Sequence, residues 1–206
     1  MKNKKLWLKA ASLILCVALI VSCIPLTVSA DTAKIRFGVI SDIHYLAPSL
    51  KGSNEEWLEF VKNKHKEYTA IDSLLENALD GVLRNAVENG ENYVLIPGDL
   101  TKDGELESHK ALAERLERFE LETGIPVLVV PGNHDVNNSN AVTFENGYKE
   151  PAEKTSPEQF REIYADLGYD MADSFFVPEE GKKGGMLSYA VTLGGYRLIA
   201  TNLYLS

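Results

Sequence analysis

Ile125–Asp135, IPVLVVPGNHD, is the stretch that decides the fold. Ile125, Val127, Leu128, Val129 and Val130 form an apolar, largely β-branched run that Pro131-Gly132 breaks. Such a run reads as a buried strand, most often one of a parallel sheet. Open α/β sheets place their ligands beyond the carboxyl ends of their strands. Asn133, His134 and Asp135 fall there, offering an amide oxygen, an imidazole and a carboxylate.

Two upstream segments repeat this grammar. Lys34–Ser41 turns continuously apolar and ends in Ser41-Asp42-Ile43-His44. In extended geometry Asp42 and His44 point to one face. Tyr93–Ile96 is a second short strand, broken by Pro97-Gly98 and followed by Asp99. Between these strands, Ile71, Leu74, Leu75, Ala78, Leu79, Val82, Leu83, Ala86 and Val87 trace a wide amphipathic stripe, which Gly90 ends. Leu112, Leu116 and Phe119 stripe a second helix, closed by Gly124, whose Glu114, Arg115, Glu117, Arg118 and Glu120 make a solvated face. Alternating strands and helices imply right-handed crossovers and a largely parallel sheet, hence an α/β fold. The three strand ends then lie side by side, each carrying ligand-type residues.

Tyr45–Lys66 reads as an excursion over the site face, with a short helix at Glu55–Lys64 and Trp57 as a loop anchor. Asn137–Lys154 is a polar loop. Ser156-Pro157-Glu158 opens a helix whose apolar side is Phe160, Ile163, Tyr164 and Leu167, closed by Gly168. Phe175-Phe176-Val177 is a candidate short strand. Leu187–Leu193 and Tyr196–Leu203 flank Gly194-Gly195, a two-residue hairpin signal. The chain thus switches from parallel to antiparallel construction.

The 206 residues are 45% hydrophobic and 25% charged, enough for about one domain. Formal net charge is −9, but four of the 21 basic residues and no acidic one lie in the first thirty positions. The remainder carries 17 basic against 30 acidic groups, a net −13. So acidic a body argues against nonspecific nucleic-acid binding and is compatible with a cation-dependent site.

Residues 1–30 read as an export signal: basic Lys2–Lys5, apolar Ala10–Val21 and small Val28-Ser29-Ala30. The domain proper is then 31–206, and the product is secreted or held at the cell surface. Ile20-Val21-Ser22-Cys23 also fits a bacterial lipoprotein cleavage box, which would anchor the chain through Cys23. An uncleaved anchor is the third option, since a spanning helix needs about 20 apolar residues. Cys16 and Cys23 are the two cysteines of the chain. Cleavage after Ala30 removes both, so a downstream metal site uses oxygen and nitrogen ligands.

That ligand chemistry suits Mn, Fe, Zn or Mg. A carboxylate on the middle strand end is placed to bridge two ions. Two ions about 3.5–4 Å apart can clamp a phosphoryl group and activate a water as hydroxide. His134 can protonate the leaving oxygen, and Asp135 can hold its imidazole in orientation. The capping alternative, in which these polar groups merely satisfy loops, predicts no metal affinity.

Asp42-x-His44, Gly98-Asp99 and Gly132-Asn133-His134-Asp135 resemble the first three signature blocks of the calcineurin-like metallophosphoesterases. SDIHYLAP, GDLTKDGELESH, VVPGNHDVNN and TSPEQFREIYADLGY resemble the exported bacterial branch that includes cyclic-nucleotide phosphodiesterases. The resemblance spans roughly Ile35 to Leu203. It implies a four-layer α/β/β/α sandwich and hydrolysis of phosphate mono- or diesters, with a phosphoester small molecule as partner and nucleotides among the candidates. It also implies that Asp42 and His44 hold the first metal, Asp99 bridges, Asn133 binds the second and His134 contacts the phosphate.

One departure stands out. The family completes its site with a Gly-His and a Gly-His-x-His block, and no histidine follows His134 here. His65 and His109 precede it, His109 reading as a cap or helix-packing residue. Thr201-Asn202 stands where the family commonly shows Leu-Asp. The expectation is an N-terminal portion of a phosphoesterase, poorly stable alone, with an open second sheet and little or no activity. The alternative is a non-catalytic, surface-retained binding protein or decayed copy on the same fold.

Overall fold

The computed structural model describes residues 34–52, 55–63, 72–179 and 186–202. The export segment with Cys16 and Cys23, and His65, lie outside the described residues. Three strands, β1 (Phe37–Val39), β2 (Tyr93–Pro97) and β3 (Val127–Val130), form a parallel sheet in the order β1-β2-β3. Helices α1 (Glu55–Asn63) and α2 (Asp72–Glu88) come between β1 and β2, and α3 (Leu106–Thr123) between β2 and β3. This is the alternation that the sequence implies, with Asp99 just past the end of the middle strand.

Period-two burial explains how the sheet sits. Val94, Ile96, Val127 and Val129 are fully buried, and register pairs Val94 with Val127 and Ile96 with Val129. Burial of each such side chain contributes about 1.5–3 kcal/mol. Leu79, Leu83 and Ala86 of α2, and Leu112, Ala113, Leu116 and Phe119 of α3, are buried in the same core. The α2 stripe is narrower than expected, because Ala78 and Val87 are exposed. Gly124 ends α3 in the left-handed region at φ 70°, its N–H donating to Glu120 O.

Beyond β3 the polar loop holds a small antiparallel pair, β4 (Val142–Thr143) and β5 (Glu150–Pro151), which the sequence pattern does not announce. Trp57 of α1 is buried and packs on Phe60 and Phe144, so it anchors this loop. Helix α4 (Pro157–Ile163) starts at a capping box in which Ser156 Oγ accepts from the Gln159 N–H and Gln159 returns a bond to the Ser156 N–H. It stops at Ile163, before the expected Gly168, because Tyr164 at φ −101°, ψ 21° leaves helical geometry; a π-helical turn, Ala165–Tyr169, follows.

Strands β6 (Ser174–Phe175), β7 (Tyr189–Leu193) and β8 (Tyr196–Ala200) make a second, antiparallel sheet. The β7–β8 register closes on Leu193 and Tyr196, and both turn glycines have positive φ, as a two-residue hairpin requires. Tyr189 Oη donates to Val129 O at 3.0 Å and Asn202 Nδ2 to Pro131 O at 3.2 Å, tying this sheet to β3. Between the sheets lies a cavity of about 560 Å³, lined by Leu95 and Leu128 on one side and Tyr189, Val191 and Leu198 on the other. Helices, a parallel sheet and an antiparallel sheet are thus in place. A helical layer over the outer face of the second sheet is not among the described elements.

Candidate metal centre

Past their formal ends, β1 and β2 stay zipped together. The N–H groups of Asp42, His44 and Tyr45 donate to Gly98 O, Asp99 O and Leu100 O at 3.3, 3.0 and 2.9 Å, and Lys102 N–H returns to Tyr45 O at 2.9 Å. Three residues of this seam are left-handed: Asp42 at φ 56°, His44 at 46° and Asp99 at 49°. Non-glycine residues held so cost about 1–3 kcal/mol each, and such strain concentrates at functional sites. The expected extended geometry at Asp42 and His44 is therefore corrected. Left-handed turns, not strand alternation, bring these side chains together, while Ile43 between them is buried.

The result is a compact donor cluster. One ligand-type atom from each of Asp42, His44 and Asp99 lies within 4.8 Å of the other two, and His44 Nε2 is 3.9 Å from Asp99 Oδ2. The third strand end approaches through two glycines. A Cβ on Gly132 would overlap the Asp99 carboxylate and its backbone N–H, and one on Gly98 would meet Gly132 Cα at 2.9 Å. Asn133 follows, exposed and among the residues that line the cavity between the sheets.

His134 is bound into the same knot. Its N–H donates to Asp99 Oδ1 at 3.1 Å, and its ring stands edge-on to that of His44, centroids 4.8 Å apart. His134 Nδ1 lies 2.8 Å from Lys102 O and 3.1 Å from Asp103 Oδ1. The carboxylate at this imidazole is therefore Asp103, not Asp135.

Asp135 is fully buried and has a different task. Its Oδ2 accepts from Leu100 N–H at 3.1 Å and Gly132 N–H at 2.7 Å, and its Oδ1 from Thr101 N–H at 2.8 Å and Thr101 Oγ1 at 3.0 Å. It fastens the turn after β2 to the turn after β3. His109, also fully buried, braces this fastening from α3. Its Nε2 donates to Asp135 O at 2.8 Å, and its Nδ1 accepts from Tyr164 Oη at 2.9 Å. Burial, the larger effect, pushes His109 below the ordinary histidine value, against the opposing pull of the Asp135 carboxylate. The packing role expected for His109 is what it has.

A model of the calcineurin-like phosphoesterase family matches residues 35–203, and the chain belongs to that family. Comparison with curated proteins finds no match. The family's chemistry is metal-dependent hydrolysis of phosphoesters, and the residues present fit a divalent cation. Two carboxylates and an imidazole converge without thiolates, in strained backbone that ligation would offset.

Proposed function

We propose that Asp42, His44, Asp99 and Asn133 hold divalent metal and that His134 serves phosphoester hydrolysis beside them. Support comes chiefly from one observation: three ligand-type groups converge at adjacent strand ends, each in left-handed backbone. Asp42 and His44 would hold one ion, Asp99 would bridge and Asn133 would serve a second. Bound metal supplies Lewis-acid charge and acidifies water. His134, when protonated on both ring nitrogens, would bind the phosphoryl oxygen through Nε2–H and pass that proton to the leaving oxygen, leaving the neutral Nδ1–H ring. Substrates of this reading are phosphate mono- or diesters, cyclic nucleotides among them.

Calorimetric titration with Mn²⁺ tests the centre. Wild type should bind and Asp99→Ala should lose at least most of that heat. Equal titrations of the two would sink the proposal and favour ordinary loop capping.

In this reading two ions share one histidine, two carboxylates and an amide, a sparse donor set, so turnover by these residues alone should be weak. Metal binding without hydrolysis of bis-p-nitrophenyl phosphate would favour the second reading, a binding domain on the same fold. Fast, metal-dependent hydrolysis would refute that reading. Export belongs to the proposal too, supported by residues 1–30, and N-terminal sequencing of the secreted product should begin at Asp31.

A further inference from the structure

Lys102 is the most unusual residue in the core: a fully buried ammonium beside the site, with no ligand role. Its Nζ donates to Asp103 Oδ2, and to Glu105 Oε1 at 3.1 Å. Glu105 Oε2 accepts the Asp103 N–H at 3.1 Å, so the two carboxylates and the ammonium lock one another. Phe60 of α1 covers the ammonium, its centroid 5.5 Å away. The other carboxylate oxygen, Asp103 Oδ1, faces His134 Nδ1 beside the Lys102 carbonyl.

A carbonyl oxygen only accepts, so the 2.8 Å contact requires a proton on His134 Nδ1. Asp103 Oδ1 accepts the same proton from a second direction. Nε2 then remains as the ring nitrogen available to a substrate. We propose that Lys102 is a positioning residue: its buried ammonium anchors Asp103 and its own loop, and these fix His134 as the Nδ1–H tautomer with Nε2 committed to the site. The catalytic meaning rests on the phosphoester reading, whereas the tautomer does not.

The test therefore needs neither metal nor turnover. Two-bond proton–nitrogen spectra of the full, ¹⁵N-histidine-labelled chain would be recorded without metal, about two pH units above the ordinary histidine value. Wild-type His134 should show a protonated, pyrrole-type Nδ1 and a pyridine-type Nε2. In Lys102→Gln/Glu105→Gln, which keeps the net charge of the trio, the two shifts should converge as both tautomers become populated. Near-UV dichroism checks that this variant is folded. Asp103→Ala gives the same readout if it is not.

A merely structural Lys102 would change stability and leave the tautomer alone. An Nε2–H pattern in wild type overturns the proposal outright. So does an unchanged single-tautomer pattern in either folded variant. Absence of phosphoesterase activity, by contrast, bears only on the catalytic reading.

Discussion

Asp135 shows how much a single buried carboxylate can organise. Asp135→Ala strands the N–H groups of Leu100, Thr101 and Gly132 without their acceptor. Each buried donor so abandoned costs about 1–3 kcal/mol, so we expect a loss on the order of 3–5 kcal/mol. A urea midpoint unchanged from wild type would contradict this. The same geometry explains why the orienting role read for Asp135 belongs to Asp103. Adjacency in Gly132-Asn133-His134-Asp135 suggests that neighbours cooperate, but the turn after β3 gives the His134 and Asp135 side chains different partners. Asp103, thirty-one positions away in sequence from His134, arrives through the turn after β2. Spacing along a chain does not encode that meeting. His109 adds a pH dependence. Its folded value lies below the unfolded one, so the unfolded chain binds more protons as pH falls below about 6.5. Stability is therefore fully present above that value and declines as pH drops toward the folded value. Melting curves of His109→Gln, which keeps a donor and an acceptor, should show a shallower decline over the same range.

At the scale of elements, the most legible features were those set by local periodicity. The β2 and β3 runs, the α3 stripe with Gly124 and the Gly194-Gly195 hairpin all stand where pattern placed them. Strands β4 and β5 were not legible, since two residues each are too few for alternation to register. The left-handed turns at Asp42, His44 and Asp99 were equally hidden, because tertiary contacts rather than residue type impose them. Two glycines at the strand ends nevertheless carry a readable consequence. Gly132→Ala puts a methyl group into the Asp99 carboxylate, with backbone on its other side. The carboxylate has to leave its place, and Mn²⁺ affinity should fall at least about tenfold, which is about 1.4 kcal/mol. The Tyr189–Val129 hydrogen bond lies outside this junction, so the variant should keep its near-UV dichroism. Wild-type affinity in the folded Gly132→Ala protein would show that Asp99 is not a ligand.

Across residues 34–202, acidic surface and apolar surface have separate consequences. The acidic balance is compatible with a cation-dependent site, and carboxylates converge at the candidate centre. The apolar pattern predicted a covered parallel sheet, and the β3 strand is buried throughout. The second sheet is open, as the sequence reading expects. Ile199, Phe176 and Val177 are 70%, 56% and 81% exposed, and β8 lies at the edge among the described strands. A cavity lined by Leu95, Leu128 and Leu198 adds apolar wall on the sheet's other face. Contiguous surface of this kind binds hydrophobic probes, and an unpaired edge recruits further strands. The native chain should therefore enhance the fluorescence of an anilinonaphthalene dye and sediment faster as its concentration rises. Ile199→Lys charges the edge strand without touching Leu198 or Ala200, which face inward. That variant should sediment independently of concentration while keeping the wild-type metal titration. If wild type already sediments as a monomer at every concentration, the edge is shielded and this account of the second sheet fails.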